Sequence, residues 1–241
     1  MNRLTRTKHP AVSAVVFIFF ILFMLPFGMV ILNSAKTSKE IINNAMGMPE
    51  HWGQLFKNIT AIFTNESVNY VSAFFDSASI TILSLAVIVV FSSMCAWVLV
   101  RNDGPTARLV FMLFVMVMVI PFQVLMYPMV RWLRIMGEFL HLPLLGTMKG
   151  IVFAYLGFGC PLSIFVFHGF IKNIPYELEE AATIDGCPYA LIFFKIVFPL
   201  LQPIIITVLI LNGIWIWNDY LLPLLVLSSN GAVQTLPLAI T

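Results

Sequence analysis

The chain of 241 residues is 60% hydrophobic and 10% charged, with a mean hydropathy of +0.97. Soluble domains carry about 25% charged residues, so this composition excludes a water-soluble globular fold and indicates a protein embedded in lipid. A net charge of +2 without a basic run argues against a nucleic-acid partner, and three scattered cysteines argue against a disulfide framework or a metal site.

The sequence contains five long apolar runs, and each predicts a transmembrane helix: residues 11–32, 77–100, 109–130, 150–171 and 200–222. About 20 apolar residues in a helix cross the hydrocarbon core, and only helices and closed barrels satisfy their backbone groups there. The runs are continuous and do not alternate, which argues against barrel strands. We therefore expect an all-α integral membrane protein, built as a polytopic helix bundle.

The basic residues predict the orientation of the chain. Arg3, Arg6 and Lys8 precede the first run, and Arg101 and Arg108 bound the short loop after the second. Basic residues collect on the cytoplasmic side, so the N-terminus of this multi-pass membrane protein is predicted to be cytoplasmic. Five spans would leave the C-terminus outside, and we expect a sixth helix to follow the five in the intact bundle.

Three further features concern the helices themselves. Thr37 and Glu40 have the spacing of a capping box, which predicts a short helix on the outer side. Ser92 and Ala96, four residues apart, favour close helix packing in lipid. Prolines within the runs predict bent helices, and they are Pro26, Pro121, Pro161 and Pro203.

The densest acidic cluster is YELEEAATIDG at residues 176–186, in the cytoplasmic loop after the fourth run. Asn173 can cap a helix, Pro175 suits a first helical position, and Gly186 suits the left-handed residue that ends one. A helix resting on anionic lipid normally carries basic residues, so the acidic cluster favours a protein partner over the alternative of a solvated helix on the membrane surface.

This loop resembles the EAA loop of ABC importer permeases. Glu180-Ala-Ala is followed after three residues by Gly186, and Ile196 and Pro199 follow at the family's spacing, with Phe198 where leucine is usual. The resemblance implies a cytoplasmic loop at residues 174–199 in which a coupling helix, residues 175–186, docks on an ATPase. The residues implied to couple are Glu180, Ala181, Ala182, Asp185, Gly186 and Pro199.

Trp215-Ile-Trp217-Asn218-Asp219 and the TLPLAI segment at residues 235–240 resemble the carbohydrate branch of these permeases, and most closely its maltose-type second subunit. The resemblance implies one transmembrane domain over residues 1–241, located in the bacterial cell membrane. It implies three partners besides lipid: a second permease subunit, a dimer of ATP-binding subunits that carries ATP and Mg, and an extracytoplasmic solute-binding protein. This chain itself would bind no cofactor.

A tentative sugar path lies near the end of the last run, where hydrogen-bonding groups and flat aromatic faces occur together: Asn212, Trp215, Trp217, Asn218 and Asp219. An acidic residue near the membrane is a functional candidate. The alternative is an interfacial aromatic anchor with Asp219 capping a neighbouring helix.

Two other classes of membrane protein fit the sequence less well. An autonomous secondary transporter or channel would need intramembrane charges for coupling, and the runs contain few. A membrane enzyme would need clustered histidines, cysteines or carboxylates, but the four histidines are widely separated. Together with the resemblance, these two exclusions predict a transport subunit of a sugar importer, with no catalytic and no metal site.

Overall fold

The computed structural model describes residues 10–64, 69–228 and 233–240, and every regular element within these ranges is a helix. The helices form two compact units, Met1–Val68 and Asn69–Thr241. The all-α prediction is confirmed.

The first unit contains α1 (Pro10–Ser34), α2 (Ser38–Asn43) and α3 (Gln54–Thr64). The predicted first span agrees with α1. The capping box at α2 is confirmed, because the Glu40 backbone N–H donates to Thr37 Oγ1 and the Thr37 N–H donates to the Glu40 carboxylate.

The basic residues that predict the orientation of the N-terminus, Arg3, Arg6 and Lys8, lie outside the described residues.

The second unit is a bundle built on two long helices that pack along each other, α4 and α7, with α11 packed against both. Its helices are α4 (Tyr70–Arg101), α5 (Pro105–Val117), α6 (Phe122–Leu140), α7 (Met148–Ile171), α8 (Glu177–Ile184), α9 (Tyr189–Ile192), a π-helical turn (Phe193–Val197), α10 (Phe198–Leu200), α11 (Gln202–Asn218), α12 (Leu221–Leu227) and α13 (Leu236–Ala239).

Small residues let α4, α7 and α11 approach closely. Ser92 and Ala96 are fully buried, as predicted from their spacing. At Gly159 a Cβ atom would lie 2.6 Å from Ile88 Cδ1 and 2.9 Å from Asn212 Oδ1, so only glycine fits between the three helices without a shift. Van der Waals contact of this kind drives helix association where lipid removes the hydrophobic effect.

The prediction of one helix at residues 109–130 is wrong. The chain bends by 109° between α5 and α6, and Pro121 begins α6 from an extended conformation. Proline lacks the N–H that would continue the helix, and it disfavours helical geometry at the residue before it. The apolar run therefore predicts the location of this segment but not its break.

The prediction of one helix at residues 200–222 is also wrong. The chain bends by 77° at Leu201, and Pro203 lies in the first turn of α11. α11 then ends at Asn218, and Asp219 is extended before α12 begins.

The second span was predicted to begin at residue 77, but α4 begins at Tyr70. Polar residues such as Asp76 interrupt the apolar run in the first two turns of α4, so hydropathy does not show where this helix starts.

Three described helices, α1, α4 and α7, are long and apolar enough to cross a membrane, and the two bent pairs raise the number to as many as five. The protein is thus a multi-pass helical membrane protein. The single domain over residues 1–241 stays a prediction.

Candidate functional site

The acidic loop contains a short helix that ends before Gly186, as predicted, and a second helix, α9, follows it. α8 begins at Glu177, two residues later than expected, because the Asn173 side chain donates to Gly169 O in the last turns of α7 and does not cap α8. α8 ends in a Schellman motif. The Gly186 N–H donates to Thr183 O and the Cys187 N–H donates to Ala182 O, both at 3.0 Å. Gly186 has φ = +80°, a conformation that favours glycine.

A buried carboxylate holds α8 against the bundle. Glu179 Oε1 accepts from Arg101 Nη2 at 2.7 Å and from Arg101 Nε at 2.9 Å, and Glu179 Oε2 accepts from Trp97 Nε1 at 2.9 Å. The side chains of Arg101 and Glu179 are only 17% and 5% exposed. Both carboxylate oxygens are therefore bound by the last turns of α4.

The same end of α4 contacts the elements on both sides of α8. Arg101 Nη2 also donates to Ile174 O at 3.2 Å, and its guanidinium lies 5.3 Å from the centre of the Tyr176 ring. The Trp97 ring lies 5.3 Å from the Phe193 ring in the π-helical turn. Arg101 and Trp97 thus join α4, α8 and the start of the α9–α11 segment.

The remaining residues of α8 form an exposed side. Glu180, Ala181 and Asp185 are exposed, whereas Ala182, which was predicted to line the same surface, is buried against the bundle. Ile184 is 86% exposed and is the most exposed large apolar side chain among the described residues. Of the other predicted coupling residues, Gly186 and Pro199 are exposed, and Pro199 lies in α10 beyond the π-helical turn.

The predicted sugar-path residues do not form one cluster. Asn212 is buried and its Nδ2 donates to Ser163 Oγ and Val208 O, both at 3.0 Å, which joins α11 to α7. Asn218 is exposed and donates to Ile214 O in its own helix. The Asn212 amide is therefore bound within the bundle, whereas the Asn218 amide binds its own helix at the surface.

Asp219 caps α12. Its Oδ1 accepts from the Leu221 N–H at 3.0 Å, and its Oδ2 accepts from the Tyr155 hydroxyl at 3.1 Å. Trp215 packs edge-on against Tyr155, with ring centres 5.5 Å apart, whereas Trp217 packs edge-on against Phe74. The two tryptophans thus contact different helices, α7 and α4.

One cavity of about 450 Å³ is lined by both Asn212 and Trp215, together with the bend between α5 and α6 and the α7 residues around Pro161. Trp217, Asn218 and Asp219 do not line it. The cavity thus contains two of the five predicted residues, and it adds apolar residues from the bend, such as Phe122.

Sequence reasoning missed the Trp97–Arg101–Glu179 cluster. A signal was present, because Trp97 and Arg101 are four residues apart at the end of a long apolar run and so lie on one side of a helix. Ile184 was missed because a single apolar residue within an acidic stretch gives no periodic hydrophobic pattern.

We expect Arg101→Leu to lower the free energy of unfolding by about 3–5 kcal/mol, because it leaves the Glu179 charge buried without a partner. The matched control is Arg108→Leu, since Arg108 pairs with Asp103 at 2.8 Å where both side chains are mostly exposed, and the expected loss is below about 1 kcal/mol. Denaturant unfolding of the purified protein measures both. The double variant Arg101→Leu/Glu179→Leu should be more stable than Arg101→Leu alone, and equal losses for Arg101→Leu and Arg108→Leu would contradict the anchoring role.

Comparisons with known proteins agree with this architecture. The family model described as "binding-protein-dependent transport system inner membrane component" matches residues 88–241. A probable starch degradation products transport system permease protein of Thermoanaerobacterium thermosulfurigenes is 40% identical over 91% of this chain and 76% of its own length. A multiple sugar-binding transport system permease protein of Streptococcus mutans is 32% identical over 90% of this chain and 76% of its own length.

Among solved structures, a chain from a bacterial ABC transporter involved in the import of the acidic polysaccharide alginate has a similar fold. The TM-score is 0.73 at 20% identity, over 94% of this chain and 78% of the other. The extent of the family match and the identity to the starch-product permease are together decisive. The chain belongs to the family of binding-protein-dependent transport system inner membrane components.

Proposed function

We propose that the chain is a permease subunit of an ATP-driven, binding-protein-dependent sugar importer, with an oligosaccharide as the transported sugar. The names of the two relatives, which refer to starch degradation products and to multiple sugars, support this substrate class. The chain would form half of the translocation path, and a second permease subunit would form the other half. A solute-binding protein would deliver the sugar from outside.

The observation that carries the proposal is the two-sided character of α8. Glu179 and Ala182 on one side are buried against the bundle, and Ile184 on the other side is almost fully exposed. An exposed isoleucine flanked by acidic residues in a polar loop suits a protein interface, because such an interface combines an apolar centre with a polar rim. α8 would be the coupling helix that docks on a cytoplasmic ATP-binding subunit.

Rigid attachment would transmit the movement of the ATPase to the membrane helices. A displacement of α8 is resisted by the charge-assisted hydrogen bonds of Glu179, so α8 and the end of α4 would move together. The π-helical turn next to α8 leads through the bend at Leu201 into α11. Movement of α8 would therefore reach α4 and α11, which both pack against α7.

ATP hydrolysis and its Mg ion are assigned to the partner subunits. The chain contains no Gly-Lys dipeptide and therefore no Walker A loop. The Arg101–Arg108 loop lies at the same end of the bundle as α8, since Arg101 contacts Glu179. Basic residues favour the cytoplasmic side, which supports a cytoplasmic position for both segments. Two crossings, α1 and α4, would separate the N-terminus from the Arg101–Arg108 loop, so the N-terminus would lie on the same side as the loop.

The cavity beside Trp215 is the best candidate for a sugar contact in this chain. It combines a partly exposed indole face with the amide of Asn212 and with non-helical backbone at the α5–α6 bend. Irregular backbone at membrane depth is tolerated where it lines a cavity or is buried in protein. Trp217, packed against Phe74, would support the helix and make no sugar contact.

We expect Ile184→Asp to weaken assembly with the ATP-binding subunit by about 30-fold or more, since loss of a central apolar contact typically costs about 2 kcal/mol or more. The readouts are the amount of ATPase that co-purifies with the tagged chain and sugar uptake into proteoliposomes. Asp103→Ala is the matched control, because Asp103 is exposed at the same end of the bundle but outside α8. Normal assembly and normal uptake with Ile184→Asp would contradict the proposal.

Trp215→Ala should raise the sugar concentration needed for half-maximal uptake, because it removes the aromatic face of the cavity. Trp217→Ala should leave that concentration unchanged and lower only the thermal stability of the complex, because Trp217 packs against Phe74. Uptake kinetics at varied sugar concentration distinguish the two. Equal kinetic effects of both substitutions would exclude the cavity as the sugar contact.

A further inference from the structure

α3 has one apolar side that is exposed in its unit. Phe56, Ile59 and Ile62 lie within an arc of roughly 120° at helical spacing. Their side chains are between 42% and 72% exposed. Lys57, the single charged residue of α3, and Ala61 lie on the opposite side. α3 is thus amphipathic, with Phe56, Ile59 and Ile62 exposed on its apolar side.

Hydrogen bonds fix α3 at the end of α1. Asn58 lies at the centre of α3, and its Nδ2 donates to Ser34 O at 2.8 Å and to Lys36 O at 3.0 Å. α1 is a candidate membrane span that ends at Ser34, and its apolar side chains are exposed along most of its length. The centre of α3 therefore lies within hydrogen-bonding distance of the point where α1 leaves the hydrocarbon core.

Lys36 makes this connection rigid. Its side chain is 2% exposed, and its Nζ donates to Asn33 Oδ1, Asn44 O and Ala45 O at 2.9–3.1 Å. These acceptors join the end of α1 to the segment after α2. The position of α3 thus depends on side chains of a folded cap and not on a free linker.

We propose that α3 lies in the membrane–water interface at the Ser34 end of α1, with its apolar side inserted into the lipid. A helix held at this level with exposed apolar residues is stabilised when its apolar surface leaves water for lipid. Amphipathic helices of this type lie in the interface plane with the apolar side about 5–10 Å deep. Trp52, exposed two residues before α3, matches the preference of tryptophan for the interface.

The inference extends beyond the proposed function, because it depends on α1 spanning the membrane and not on the transported substrate or on which side the N-terminus lies. Lipid is favoured over a protein partner because Asn58 joins α3 to the Ser34 end of α1, and α1 is a candidate membrane span whose apolar side chains are exposed. An interface anchor here would hold the end of α1 at a fixed depth.

The test is spin-label accessibility in the assembled transporter, reconstituted in lipid nanodiscs. Single cysteines replace Phe56, Ile59 and Ile62 in a chain whose three native cysteines are substituted, and Lys57→Cys and Ala61→Cys are the matched controls. Each variant carries a nitroxide, and collision rates are measured with oxygen, which concentrates in hydrocarbon, and with a water-soluble nickel chelate.

The proposal predicts a high ratio of oxygen to nickel collisions at positions 56, 59 and 62 and a lower ratio at both controls. Nickel collisions that dominate at all five positions would place α3 in water and overturn the proposal. Low collision rates with both reagents at positions 56, 59 and 62 would show that a protein partner covers the apolar side, which also overturns it. Size-exclusion elution of each variant at the position of the unsubstituted complex verifies that the complex is assembled, and this control does not depend on the transported sugar.

Discussion

Glu179 brings a negative charge to a site where only 5% of its side chain meets solvent, and the fold accommodates it because Arg101 and Trp97 bind both of its oxygens. An unpaired charge at such a site would cost several kcal/mol, so α8 can occupy its position only when α4 ends in this geometry. The ion pair joins residues 78 positions apart in the sequence. Through it the short α8 becomes part of the bundle while its other side stays available.

The arrangement separates two tasks within eight residues. Glu179 and Ala182 hold α8 against the bundle. The exposed side chains of Glu180, Ala181 and Ile184 form the surface that another protein would contact. A coupling helix needs both properties, since an exposed helix with no attachment would move without moving the bundle. The breaks at Pro121 and Leu201 divide the membrane segments into pieces that meet at 109° and 77°, so a shift at α8 can change angles between helices that are each rigid.

The sequence predicts the continuous helices well, because α1 and α7 coincide with uninterrupted apolar runs and local composition determines them. It predicts the α5–α6 and α10–α11 segments poorly, since proline predicts a disturbance but not whether a helix kinks or stops. Of the three glutamates in α8, Glu179 is buried because it pairs with Arg101, and Arg101 is distant in the sequence. Asn212 and Asp219 are correctly identified as unusual polar residues, but helix packing and capping bind the Asn212 amide group and the Asp219 carboxylate.

The most direct measurement of the central claim is a photo-cross-link from α8 in native membranes. A photoreactive amino acid at position 184 is activated in the intact complex, and the cross-linked protein is identified by mass spectrometry, with position 173, outside α8 at the same end of the bundle, as the control. The account predicts a cross-link from position 184 to an ATP-binding subunit, in a yield that changes when ATP is added. Cross-links to lipid alone, or equal yields from positions 184 and 173, would contradict it.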